Sequence, residues 1–193
     1  MTVIIETMKP IDLTNQFLIA MPGLSDPNFH QSVTYIFSHN EQGAMGIVIN
    51  RPLNMDLGEI FDQMQLASDI SGIEKIPVFD GGPVKTDRGF ILHNPDSRWQ
   101  SSIKVGNNIE VTTSKDILEA ISNGTGPVKK FIALGYAGWG AGQLEQEMME
   151  NCWLNTPAKS DIIFDAPAEM RWEYAASALG INLHNLSLQA GHA

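Results

Sequence analysis

Short apolar runs bounded by glycine and proline dominate this chain, and few are long enough to be helices. Phe17-Leu18-Ile19-Ala20-Met21 is continuously apolar and closed by Pro22-Gly23, which predicts a buried strand. Ser32 to Ser38 alternates around Val33, Tyr35 and Phe37, and Ala44 to Asn50 carries Ile47, Val48 and Ile49. Between them, His39-Asn40-Glu41-Gln42-Gly43 has the composition of a hairpin loop, and Pro52 is expected to end the ladder. The clearest helix is Asp56 to Met64. Leu57, Ile60, Phe61 and Met64 share one face, and Asp56 with Glu59 resembles a capping box. Ile76 to Phe79 and Phe90 to His93 read as short strands, and Ile103 to Val105 with Ile109 to Thr112 as a second hairpin about Gly106-Asn107-Asn108. Ser114 is expected to cap a helix from Lys115 to about Ser122 that stops at Gly124. Ile162-Ile163-Phe164 predicts a strand. Pro167 opens a last helix with Met170, Tyr174 and Ala178 on one face and Gly180 as its stop. Residues up to about Ile11 read as a loose arm, Asn94 to Arg98 as a turn, and the chain from Asn182 as a polar tail.

The most organised stretch is Phe131 to Trp153, FIALGYAGWGAGQLEQEMMENCW. Phe131-Ile132-Ala133-Leu134 predicts a core strand. Gly135, Gly138, Gly140 and Gly142, with Tyr136 and Trp139 among them, predict a turn. Leu144, Met148 and Cys152, spaced four apart, predict one side of a helix. A glycine costs roughly 0.5–1 kcal/mol relative to alanine in regular structure, so such density requires sharp bending or close approach. A strand that ends in glycines before a helix can offer N–H groups to an anion. Here Gln143, Glu145 and Glu147 follow, without the Lys, Ser or Thr that would hold a phosphate. The glycine spacing is neither that of a dinucleotide site nor a Walker motif.

Hairpin-spaced strands with single interspersed helices predict one α+β domain over 1–193, with a core from about residue 13 to 179. The sheet is expected to be mostly antiparallel and curved, with about four helices packed on it. At 193 residues with 43% hydrophobic and 18% charged content, the chain is globular and can bury a full core. The net charge of -10 argues against direct nucleic-acid binding and against anionic membrane surfaces. A lone Cys152 excludes an internal disulfide framework. The opening MTVIIETMKP has no basic region or long apolar run, so neither a secretory signal nor a membrane span is expected, and a cytoplasmic setting follows.

Three sets of residues stand together in order: FLIAMPGL at 17–24 followed by Asp26-Pro27-Asn28-Phe29; GIVINRP at 46–52; and DGGPV at 80–84 followed by GYAGWGAGQLE from Gly135. In these the chain resembles the YqgE/AlgH family of small bacterial proteins, from about Leu13 to Leu179. The resemblance implies a bifurcated sheet folded into a pseudo-barrel and no established activity. Family members often carry the label of transcriptional regulator, which concerns an effect on expression more than contact with DNA.

No convergent acid, base and nucleophile is visible, so no catalytic residue is assigned. No two of His30, His39, His93, His184 and His192 share a helical metal spacing, and neither a metal nor a cofactor is expected. His39 and His192 are expected to face solvent. Cys152, near Glu147 and Glu150 at a helix end, reads as a structural thiol. The binding candidates are the strand-end residues Arg51, Asp80, Gly81 and Gly82, with Tyr136, Trp139 and Gln143 of the glycine-rich segment. Arg51 is expected either to meet a carboxylate or phosphate or to pair internally with Asp80 or Glu147. Trp139 either plugs the barrel mouth or contacts a ligand or partner. Tyr136, Trp139 and Gln143 are expected to gather at the Asp80 to Pro83 turn and form the best concave site. The functional expectation is a cytosolic binding or regulatory protein acting through a protein partner or a small ligand, with indirect effects on expression. The alternative is an enzyme with its pocket at the Gly81-Gly82 and Gly138 to Gln143 loops. The oligomeric state is left open.

Overall fold

The computed structural model describes residues 11–95 and 99–181. The expected arm before Ile11, the end of the Asn94 to Arg98 turn, and the tail with His184 and His192 lie outside the described residues. In chain order the strands are β1 (Gln16–Ala20), β2 (Val33–Asn40), β3 (Gly43–Val48), β4 (Pro52–Asp56), β5 (Pro77–Asp80), β6 (Val84–His93), β7 (Ser102–Val105), β8 (Ile109–Thr112), β9 (Lys130–Gly140) and β10 (Trp153–Pro157). The helices are α1 (Leu57–Met64), α2 (Asp116–Ser122), α3 (Gln143–Met149), α4 (Ser160–Phe164) and α5 (Arg171–Ser177). All ten strands belong to one sheet, ordered β10-β1-β2-β3-β9-β6-β8-β7, with β4 and β5 branching from β9. Every pairing is antiparallel except β5 with β9. The fold is α+β, with a curled sheet and helices on its faces.

The glycine-rich segment is strand where the sequence predicts a turn. β9 continues through Gly135 and Gly138 to Gly140. On one edge β6 follows it. On the other, β5 pairs with Ile132–Leu134 and β3 takes over at Ala137–Gly140. The sheet therefore forks at Gly135, whose φ of 75° kinks the strand. Gly81 fills the crotch of the fork, with its N–H donating to Leu134 O and its carbonyl accepting from Val48 N–H.

Side chains alternate from this frame into three cores. Phe17, Ile19, Val33, Tyr35, Phe79 and Phe131 point into the half-barrel, which α4 and α5 close with Ile162, Ile163, Ala175 and Ala176. Leu18, Ala20, Ile36, Ala137 and Trp139 lie on the outer face of the first branch, under Leu144 of α3. Val78, Ile91 and Ile132 lie on the outer face of the second, under Leu57 and Phe61 of α1 and Ile117, Leu118 and Ile121 of α2. Phe17 to Ala20 is apolar throughout because both of its faces are covered. The capping box on α1 is present: Asp56 accepts from Glu59 N–H, and Glu59 accepts from Asp56 N–H.

Other expectations are corrected. The β2–β3 ladder ends at Val48, short of Pro52, and Pro52 then opens a new strand, β4, because the first residue of a strand tolerates the missing N–H. Ile162-Ile163-Phe164 is part of helix α4; three apolar residues carry no period that separates strand from helix. β10 has no counterpart among the predicted strands. α2 has no side-chain cap, since the Ser114 hydroxyl donates instead to Asp116, 2.5 Å away. Cys152 lies beyond α3, after Asn151 turns into the left-handed region at φ 56°, yet it packs with Leu144 and Met148 as expected. The inward face of α5 is Arg171, Ala175 and Ala176, while Tyr174 is 44% exposed. Arg171 is accommodated because its guanidinium donates to Ile49 O and Ala166 O and lies 5.0 Å from the Phe79 ring and 5.3 Å from that of Phe131. Burial pulls its pKa down to about 10, which leaves it charged at neutral pH.

The fork tests directly. A Cβ at Gly82, where φ is 143°, would stand 2.3 Å from the carbonyl carbon of Tyr136. Gly82→Ala is expected to destabilise the protein by more than about 3 kcal/mol, above the usual cost of backbone strain alone, as read from urea denaturation. A loss under about 1 kcal/mol would mean that the fork does not depend on this contact.

Candidate functional site

The residues expected to bind are each engaged by the protein. The Arg51 guanidinium donates to Asn28 O and, at 3.0 Å, to His30 O. Neither Asp80 nor Glu147 pairs with it, because the carbonyls of the Asn28–His30 loop converge on it first. Asn50 fixes the same loop: its Oδ1 accepts from Val33 N–H and its Nδ2 donates to Gln31 O, both at 2.8 Å. Asp80 Oδ1 accepts from Gly82 N–H at 3.1 Å. Gly81 and Gly82 lie against the backbone of residues 135–137, so the turn and Tyr136 do come together. Tyr136 faces the half-barrel, its ring 5.6 Å from that of Phe90.

Trp139 and Gln143 belong to the opposite face, so the expected single site is divided by the alternation of β9. Trp139 is 6% exposed, stacked at 5.9 Å on Phe29 and edge-on to Trp153 at 6.0 Å. The indole N–H groups of Trp139 and Trp153 both donate to Glu147 Oε2, at 2.9 and 2.8 Å, and Gln143 Nε2 donates to Oε1 at 3.0 Å. Gln143 Oε1 in turn accepts from Gly140 N–H at 3.0 Å. The two indole donors tie α3 to β9 and β10, and Gln143, on α3 itself, is the third donor to the carboxylate. These contacts make Trp139 a core aromatic.

Among the described residues, the side chains of His39 and His93 are buried. His39, expected in solvent, has a side chain 2% exposed. Leu13 N–H donates to its Nδ1 at 3.0 Å, so Nε2 carries the proton given to Glu145 Oε1 at 3.0 Å. His93 donates from Nδ1 to Asn94 O, so Nε2 accepts from the Thr112 hydroxyl, both at 2.8 Å. Burial pushes the Cys152 thiol pKa up, and Glu147 and Glu150 push it further, which leaves little thiolate.

Open space lies elsewhere, beside β6. Five steps along β6, from Val84 to Gly89, face two along β9, from Tyr136 to Leu134. Three residues are thus extra, and Lys85 to Arg88 arch outward with Lys85 at φ 47°, a conformation few non-glycine residues adopt. Beneath this bulge is a cavity of about 420 Å³ between α1, α2, β6 and β9. Met55, Ile60, Met64, Ile91, Leu118 and Ile132 form its walls, and Asp87, Arg88 and Lys115 its charged rim. A second cavity of about 300 Å³, bounded by Phe37, Met45, Phe90 and Ile103, shares Arg88 and Thr113 with the first. Arg88 donates to Thr113 Oγ1 at 3.3 Å, so the pair lines both cavities.

The family motifs converge on the scaffold just described: Arg51 of GIVINRP holds the DPNF loop, whose Phe29 stacks on Trp139 of GYAGWG. A family model described as AlgH-like matches residues 17–184. The chain belongs to the AlgH-like family. A UPF0301 protein from Thioalkalivibrio sulfidiphilus is 58% identical over 182 residues, covering 94% of this chain and 97% of that one. One from Cupriavidus metallidurans is 53% identical, covering 95% and 97%. The solution structure of the AlgH protein from Pseudomonas aeruginosa is 50% identical, covers 97% of this chain and 100% of its own, and superposes with a TM-score of 0.79. The crystal structure of protein DIP2367 from Corynebacterium diphtheriae, 18% identical with a TM-score of 0.72 over 93% and 94%, shares the fold.

Sequence reasoning passed over Arg88 and its cavity. The available clue was the polar run Lys85-Thr86-Asp87-Arg88 immediately before an apolar strand, which marks a segment turned away from the core.

Trp139→Ala is expected to cost about 3–5 kcal/mol of stability, the range for a buried aromatic. A change within roughly half a kcal/mol would return Trp139 to the surface and to a binding role.

Proposed function

We propose that this AlgH-like protein is a non-catalytic binding protein whose ligand enters the cavity beneath the β6 bulge, and that occupancy is relayed to a protein partner with indirect effects on gene expression. The observation that carries this reading is the cavity itself. At about 420 Å³ it falls in the size range of small-molecule sites, with apolar walls and a few charged groups at its mouth. Strand bulges re-aim side chains beside such sites, and this one brings Asp87 and Arg88 to the rim. The enzyme alternative at the Gly81-Gly82 and Gly138 to Gln143 loops is less favoured. Gly82 already meets backbone, and Gln143 is engaged by Gly140 and Glu147.

A thermal-shift screen of the full chain tests the reading. A ligand present at about 100 times its Kd adds about 2.7 kcal/mol, which raises Tm by about 5–10 °C for a chain of this size. The rise should vanish in Ile60→Trp, which fills the cavity from α1. Ligands that stabilise both forms equally would place binding elsewhere. Direct DNA binding is not part of this function, on the net charge of -10. Fluorescence anisotropy with mixed duplexes is expected to show no salt-dependent binding tighter than the roughly micromolar non-specific range, and such binding would overturn this exclusion.

A further inference from the structure

Resting on the preceding reading, we infer that the ligand is an aliphatic monocarboxylate, its chain in the larger cavity and its carboxylate on Arg88. The walls set the chain. Met55, Ile60, Met64, Ile91, Leu118 and Ile132 are aliphatic or thioether, and no aromatic ring lines that cavity on which a base or aromatic ligand would stack. Methionine side chains adapt to irregular, flexible apolar shapes, which suits a chain with many conformers.

The rim sets the head group. A guanidinium has five N–H donors in a planar fork. Among the described residues the Arg88 side chain makes one hydrogen bond, the long 3.3 Å contact with Thr113 Oγ1, and no ion pair with a carboxylate. Its Cζ lies 5.6 Å from the Phe90 ring, which covers one face, and the other N–H donors of the fork take no hydrogen-bond partner among the described residues. A carboxylate matches that fork with two parallel hydrogen bonds. Lys115 adds a second cation at the rim and Asp87 one negative charge. The local balance of one positive charge, in a chain of net charge -10, suits a single anion better than a dianion. The neighbouring cavity of about 300 Å³ gives the guanidinium room to swing off Thr113 as the head group arrives.

The test uses isothermal titration of the full chain with decanoate, 1-decanol and decyl phosphate, all below micelle-forming concentrations. Decanoate is expected to bind about tenfold or more tightly than 1-decanol, the usual reach of charge-assisted hydrogen bonds. Arg88→Gln should remove that preference while leaving 1-decanol binding and the ligand-free Tm unchanged. Arg88→Lys should restore only part of it, since an ammonium lacks the fork. Equal binding of acid and alcohol, an unaltered preference in Arg88→Gln, or tighter binding of decyl phosphate than of decanoate would each overturn the assignment. If the decyl series fails while another compound binds wild type and not Ile60→Trp, the monocarboxylate is wrong and the cavity reading stands. If no compound shows that sensitivity to Ile60→Trp, both fall.

Discussion

Backbone lies directly on backbone where Gly81 and Gly82 meet residues 135–137, and the architecture depends on that contact. A sheet can fork only where one strand changes its partner, and the strand that leaves must turn away within one residue or two. Here β5 leaves β9 after Leu134 and β3 joins at Ala137. The peptide of Gly81 bridges the gap by hydrogen bonds to both branches. A side chain at Gly81 would meet Gly135 O at 2.3 Å, and one at Gly135 would meet Gly82 O at 2.4 Å. Because β9 runs through the fork, it supplies Phe131 and Ala133 to the half-barrel, Ala137 and Trp139 to one outer core, and Ile132 to the other. One strand thus couples three packing layers that would otherwise be independent.

What was legible in the sequence follows from how local each signal is. The α1 helix announces itself through Leu57, Phe61 and the Asp56–Glu59 capping box, all within nine residues. The hairpins of β2 with β3 and of β7 with β8 are set by short loops between apolar runs. The failures involve distant partners. The second half of β9 looked like a turn because Gly135 is explained by its contact with Gly81 and Gly82, more than fifty positions earlier. His39 looked exposed because Leu13 and Glu145, which enclose it, come from elsewhere in the chain. Arg171 is an inward residue because the carbonyl of Ile49 receives it. No helical period predicts an arginine on a buried face.

The expected site shows the same division. Its residues are occupied by the protein's own demands. Trp139 among glycines needed cover, and Phe29, Trp153 and Glu147 supply it. Glu147 illustrates how an acidic chain uses a carboxylate internally: two indole N–H groups and an amide satisfy it, and the indoles fasten α3 to the sheet. The cavity beside β6 was not legible, because it depends on the register between β6 and β9, which neither strand reveals alone.

The fork and the cavity are two consequences of one kink. A Cβ on Gly135 would stand 3.2 Å from Thr86 Cα and 3.2 Å from Val84 O, so the first residues of the β6 bulge lie directly over the bend. Beside the kink at Gly135, two steps of β9 face five of β6, and the three surplus residues of β6 are taken up in the bulge. Lys85 takes the positive φ that starts the arch, and Arg88 ends it just before the register resumes at Gly89. The arch stands over a space bounded by residues of α1, α2, β6 and β9. Its last charged residue then stands at the mouth of that space without a carboxylate partner among the described residues. A cation placed so is a product of sheet geometry, and the same glycine that lets the sheet divide also positions the group proposed to receive the ligand.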